Sequence, residues 1–150
     1  MLSSQPIFTI IADLGAILQF GKTPYGDRRV IDILGGTVSG PRLNGRILRG
    51  GADWQIIRTD GTADIQARYT IEADGGGHVL VASDGLRHGP PAVMETLARG
   101  EAVDPTLYYF RTAMRFETAA PELAWLNRII AVAYGAREPM AARLDVFEVL

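Results

Sequence analysis

Turn-forming residues recur so often along this chain that few stretches between them are long enough to make a helix. Seventeen glycines and eight prolines punctuate 150 residues. Gly35-Gly36, Gly40-Pro41, Gly50-Gly51, Asp60-Gly61, Asp74-Gly75-Gly76-Gly77, Asp84-Gly85 and Gly89-Pro90 mark the expected breaks. The segments between them alternate with a period of two. In Asp64 to Glu72, Ile65, Ala67, Tyr69 and Ile71 share one face, and Gln66, Arg68, Thr70 and Glu72 share the other. Tyr108 to Thr118 sets Phe110, Thr112, Met114 and Phe116 opposite Tyr109, Arg111, Arg115 and Glu117.

Further strands are expected at Ile7 to Asp13, Ala16 to Phe20, Val30 to Leu34, Gly45 to Leu48, Gln55 to Arg58, Val79 to Ala82 and Leu144 to Val149, rich in β-branched and aromatic residues. One short helix is expected over Ala92 to Arg99, with Pro90-Pro91 at its start and Gly100 at its end. Pro121 to Tyr134 fits a helix through Leu123, Leu126 and Ile130, and fits a strand through the alternation of Trp125, Asn127, Ile129, Ala131 and Ala133. Many brief strands joined by tight turns favour an antiparallel sandwich or barrel over a crossover fold. Neither a linker nor a repeat divides the chain, so a single domain over 1–150 is expected.

Composition narrows the chemistry. A formal charge of −2 gives no broad positive field for a phosphate backbone, so no nucleic-acid partner is expected. Met1 to Pro6 carries no basic residue, and Thr9, Asp13 and Gly15 interrupt the apolar stretch that follows. A secretory leader is therefore not expected, nor any membrane partner; the expected location is cytoplasmic. The absence of cysteine removes thiol nucleophiles and thiolate metal ligands. With only His78 and His88 as imidazoles, no metal and no cofactor are expected. A P-loop needs Lys and Ser or Thr after its last glycine, whereas Gly40 precedes Pro41 and Arg42. Serine-hydrolase chemistry lacks its elbow motif.

Several polar residues remain as candidates. Asp53 and Trp54 follow Gly50-Gly51-Ala52, joining a proton-transferring carboxyl to a flat apolar wall. The competing structural reading makes Asp53 a turn cap and Trp54 core. Arg111 and Arg115 share a strand face on which paired donors can hold a carboxylate or enolate, or which solvent can simply wet. Trp125 and Asn127 share a side if their segment is a strand.

The ordered series Gly35-Gly36-Thr37, Gly40-Pro41, Gly50-Gly51-Ala52-Asp53-Trp54, Asp60-Gly61-Thr62, Ala67-Arg68-Tyr69, Tyr109-Phe110-Arg111-Thr112, Phe116-Glu117-Thr118 and Trp125-Leu126-Asn127-Arg128 resembles the family called domain of unknown function 3237. Gly21-Lys22-Thr23-Pro24-Tyr25-Gly26-Asp27-Arg28 is similar to that family's upstream segment, and the likeness runs from about Leu14 to Leu150. The resemblance implies an all-β fold, an antiparallel lipocalin-like β-barrel with one short helix, and makes Trp125 to Tyr134 a strand. It implies no activity general to the family.

A barrel of about eight strands has room for side chains or one small ligand. The leading expectation is a small-molecule site for an aromatic or unsaturated organic acid, acting as a cofactor-independent isomerase, lyase or dehydratase. Asp53 would move the proton, Arg68, Arg111 and Arg115 would hold the anion, and Trp54, Trp125 and Asn127 would line the pocket. The alternatives are a binding protein with the same pocket and no turnover, and an oligomeric interaction module. A homodimer is expected, because a barrel whose seam is incomplete can cover its exposed edge with a second subunit.

Overall fold

A computed structural model describes every residue from Met1 to Leu150. Nine antiparallel strands form the wall: β1 (Phe8–Thr23), β2 (Gly26–Ser39), β3 (Gly45–Ile47), β4 (Gly51–Ile57), β5 (Ala63–Ala73), β6 (His78–His88), β7 (Tyr109–Thr118), β8 (Ala131–Glu138) and β9 (Ala141–Glu148). β3 and β4 lie end to end between β2 and β5, so the nine strands make an eight-strand barrel. β1 pairs with β9 on one side and β2 on the other, which closes it. The open edge on which the homodimer expectation rested is therefore absent.

The alternation read from β5 and β7 holds. Ile65, Ala67, Tyr69 and Ile71 are buried inside, as are Phe110, Thr112, Met114 and Phe116. Two expected breaks are not breaks. Gly35-Gly36 lies within β2 and Gly85 within β6, because glycine there admits a neighbouring strand rather than a turn. A Cβ on Gly36, whose φ is +143°, would stand 2.0 Å from the Ile11 carbonyl oxygen. Likewise Ile7 to Asp13 and Ala16 to Phe20 join into one strand, bent by register shifts opposite β2.

The barrel's two ends are closed differently. At the end holding Phe8, Val79 and Phe116, a 3₁₀ helix (Pro121–Arg128) inserts Leu123 and Leu126 into the core. Phe8 and Phe116 meet edge to face at 5.9 Å. Burial of these side chains, at about 1.5–3 kcal/mol each, makes this the firmly packed end. The other end is covered by the expected helix, α1 (Pro91–Ala98), which has no fully buried residue and packs through Val93, Met94 and Leu97. Polar side chains gather beneath it.

The strand expected over Trp125 to Tyr134 is corrected. Trp125 to Arg128 belong to the 3₁₀ helix, and the strand begins only at Ala131. Pro121 at the first turn and Glu122 near the helix start favour the helical course, and burial of both Leu123 and Leu126 rewards it.

Candidate functional site

Asp53 sits on β4 opposite Ile31 of β2 and Ala67 of β5, and this register turns it into the barrel. Its Oδ1 accepts the backbone N–H of Gln66 at 2.9 Å, and its Oδ2 accepts the Gln55 side-chain amide at 2.8 Å. The oxygen of that same amide accepts from Arg29 Nε at 2.7 Å. Gln55 is wholly buried, and the arginine fixes which way its amide points. Burial raises the Asp53 pKa above the ordinary carboxylate value. The two hydrogen bonds, and the positive charges of Arg87 and Arg29, pull against that rise without cancelling it.

Arg87, on β6, is 8% exposed and forms no ion pair or side-chain hydrogen bond; its guanidinium lies 5.5 Å from the centre of the Phe110 ring. Burial, with repulsion from Arg29 and Arg137, lowers its pKa to about 10, while Asp53 opposes the shift. It stays charged at neutral pH. Burial similarly lowers the pKa values of Arg29 and Arg137.

Asp53, Gln55, Tyr69, Ser83, Arg87 and Thr112 face one internal cavity of about 60 Å³, otherwise lined mainly by aliphatic side chains. Tyr69 Oη, Ser83 Oγ, Arg87 Nε and Thr112 Oγ1 are buried there without a hydrogen-bond partner. Each such group costs about 1–3 kcal/mol when unpaired, so four around one cavity describe a surface made for polar contact. At roughly 30 Å³ for a water molecule in the liquid, this space admits only one end of an organic ligand. A cleft of about 420 Å³ beneath α1 shares Ile31, Arg87 and Arg137 with the cavity and can take the rest.

Of the residues singled out in the sequence, only Asp53 reaches this interior. Trp54 points outward from β4 and is 41% exposed. Arg68 makes a two-pronged pair with Asp84 on the outer wall, at 2.8 and 3.2 Å. Arg111 lies outside as well, 4.1 Å above the Tyr134 ring, and Arg115 is exposed on the same face. Trp125 stacks 3.7 Å under the Arg42 guanidinium. Asn127 is structural: its amide oxygen accepts the Thr118 N–H at 2.8 Å, and its nitrogen donates to the Thr118 carbonyl at 3.0 Å. The turn-cap reading of Asp53 is corrected too, since its partners lie across the sheet and inside the barrel. The outer face does carry a wider depression, about 580 Å³, with Arg111 and Tyr134 in its wall. It holds none of the buried unpaired groups.

A family model described as protein of unknown function, domain of unknown function 3237, matches residues 2–149. The chain belongs to this family. A UPF0311 protein of Rhodopseudomonas palustris is 42% identical over 149 residues, covering 99% of this chain and 97% of that one. A structure described as a beta-barrel like protein from Acinetobacter baumannii is 39% identical, with a TM-score of 0.85 over 99% of this chain and 96% of that one. A structure described as an enzyme from Penicillium herquei is similar in fold alone, at 18% identity and a TM-score of 0.71 over 99% and 97% of the two chains.

Sequence reasoning missed Gln55, Arg87, Arg29 and Arg137. The available signal was phase. Val79, Val81, Ser83 and Arg87 share one side of β6, just as Asp53 and Gln55 share one side of β4. A charged or amide side chain in step with an apolar row faces the interior of a barrel.

Proposed function

We propose that this protein binds a small organic acid through the α1 end of the barrel and that Asp53 transfers a proton on it in a cofactor-independent isomerisation, elimination or dehydration. One observation carries the reading: Asp53 and Arg87 are buried on the same small cavity, beside the unpaired Tyr69, Ser83 and Thr112. As a base, the Asp53 carboxylate takes a proton from carbon. The electron pair moves onto the substrate's carbonyl or carboxyl oxygen, where Arg87 and the phenol of Tyr69 can donate to it. Burial pushes the Tyr69 pKa up, so the phenol keeps its proton and can donate it to such an oxygen. Returning the proton from Asp53 to a second carbon completes an isomerisation; delivering it instead to a β-hydroxyl, which departs as water while the electron pair returns to form the carbon–carbon double bond, completes a dehydration.

The apolar walls formed by Ile31, Ile65, Leu14 and Leu144 strengthen these contacts by excluding water. The test is calorimetric titration with crotonate and benzoate. Wild-type protein should bind at least one of them, Arg87→Gln should weaken that binding about tenfold or more, and Arg68→Gln should leave it unchanged. No binding by the wild type, or equal loss in both variants, would contradict the placement.

A further inference from the structure

The cleft beneath α1 has an unusual charge content. Arg29, Arg87 and Arg137 line it, and no carboxylate does. The seven ion pairs of the protein use other cations throughout. Asp53, facing the cavity, attracts both Arg29 and Arg87, and Asp27 attracts Arg29. Gathering three guanidiniums in a half-buried cleft with no carboxylate among them is costly unless something anionic joins them.

We propose that this cleft is a site for a dicarboxylic acid with a short apolar body, held at its outer end by Arg29 and Arg137 and at its inner end by Arg87. This rests on the organic-acid reading above and narrows it to a substrate class. Donor count supports two carboxylates over one. Arg87 keeps its full fork of about five N–H groups, and one carboxylate offers about four lone-pair sites. Arg29 spends only Nε, on Gln55, and Arg137 spends only Nη1, on the carbonyls of Glu138 and Ala141. The remaining donors of these two are left for a second anionic group. Ile17, Ile57, Met94 and Leu97 supply the apolar wall between them. A cleft of about 420 Å³ is of ordinary size for a small-molecule site.

The planar forks fit carboxylates in pairs, and Gln55 gives the outer group a connection to the chemistry. Arg29 holds the oxygen of the amide whose nitrogen holds Asp53. An acid seated on Arg29 is thereby placed against the residue that orients the proton-transferring carboxyl.

The experiment is calorimetric titration of the intact protein with benzoate, isophthalate and phenyl phosphate at neutral pH. Isophthalate should bind about tenfold or more tighter than benzoate, and the preference should shrink to about twofold in Arg29→Gln and in Arg137→Gln. A second measurement, the thermal midpoint without ligand, separates loss of the site from loss of the fold; Arg29→Lys serves if Arg29→Gln is unstable. Equal affinity for benzoate and isophthalate would overturn the dicarboxylate assignment while leaving the organic-acid reading in place. A preference that survives both variants, or one shown by phenyl phosphate and not isophthalate, would overturn it as well. Failure of all three probes to bind would overturn the dicarboxylate assignment, and the organic-acid reading falls with it only if crotonate fails to bind as well.

Discussion

Asp53 and Trp54 are neighbours in the chain and stand on opposite sides of the barrel wall, the carboxyl 9% exposed and turned inward, the indole 41% exposed and turned to solvent. Consecutive residues of a strand cannot serve one pocket. The Asp-Trp pair therefore divides into an interior group with chemical potential and an outer-wall group without it. Trp54→Ala and Arg111→Lys should leave organic-acid affinity within about twofold of wild type, because strand alternation keeps both side chains outside the site. A tenfold loss by calorimetry in either variant would place the site on the outer wall instead.

Asn127 ties the 3₁₀ helix to the end of β7 through both Thr118 backbone groups. Asn127→Ala should lower stability by about 1–2 kcal/mol, the worth of two hydrogen bonds, with ligand affinity unchanged. Urea unfolding checks the first part and calorimetry the second.

Asp53 gives stability a pH dependence of definite sign. Its folded pKa is raised above the ordinary value of 3.8, chiefly by burial. The folded protein therefore binds this proton more tightly than the unfolded chain, and stability falls as pH rises from about 3.8 through the raised pKa. Asp53→Asn removes that slope. Its stability relative to wild type should improve progressively across the window, starting from a deficit if the new amide nitrogen faces that of Gln55. Parallel stability curves for the two proteins over that range would contradict the assignment.

Gly36 and Gly50 separate two costs of adding a side chain. Both have positive φ, but a Cβ at Gly36 would strike the Ile11 carbonyl, while one at Gly50 would meet nothing within 4 Å. Gly50→Ala should cost about 1–2 kcal/mol from backbone conformation alone. Gly36→Ala should cost clearly more, about 3–4 kcal/mol, because it also disturbs the β1–β2 seam that closes the barrel. Paired denaturation curves decide this.

The wall of the barrel was legible in the sequence because strand alternation is local: Ile65 to Ile71 and Phe110 to Phe116 declare their inward face within a few residues. Gly35-Gly36 and Asp84-Gly85 misled because a glycine that admits a neighbouring strand looks, in sequence, like one that turns. Periodicity leaves Trp125 to Arg128 open between helix and strand and the family resemblance makes them a strand, whereas tertiary packing through Leu123 and Leu126 decides for the 3₁₀ helix. In the candidate site Asp53 is legible, whereas the sequence points to partners on the polar strand faces. Arg68, Arg111 and Arg115 are arginines on the polar face. Arg87 is an arginine on the apolar face, and only that phase brings a charge into a closed barrel.

The proton-transfer role of Asp53 is tested most directly by deuterium exchange. Unsaturated organic acids that bind and carry a C–H next to the carboxyl group, 3-butenoate among them, would be followed by proton NMR in D₂O with wild-type protein and with Asp53→Asn. The wild type should exchange that C–H into deuterium for at least one acid, and Asp53→Asn should bind the acid comparably while exchanging it about 10²-fold more slowly or worse. Exchange that persists undiminished in Asp53→Asn, or binding with no exchange in the wild type across the acids tried, would contradict a catalytic Asp53.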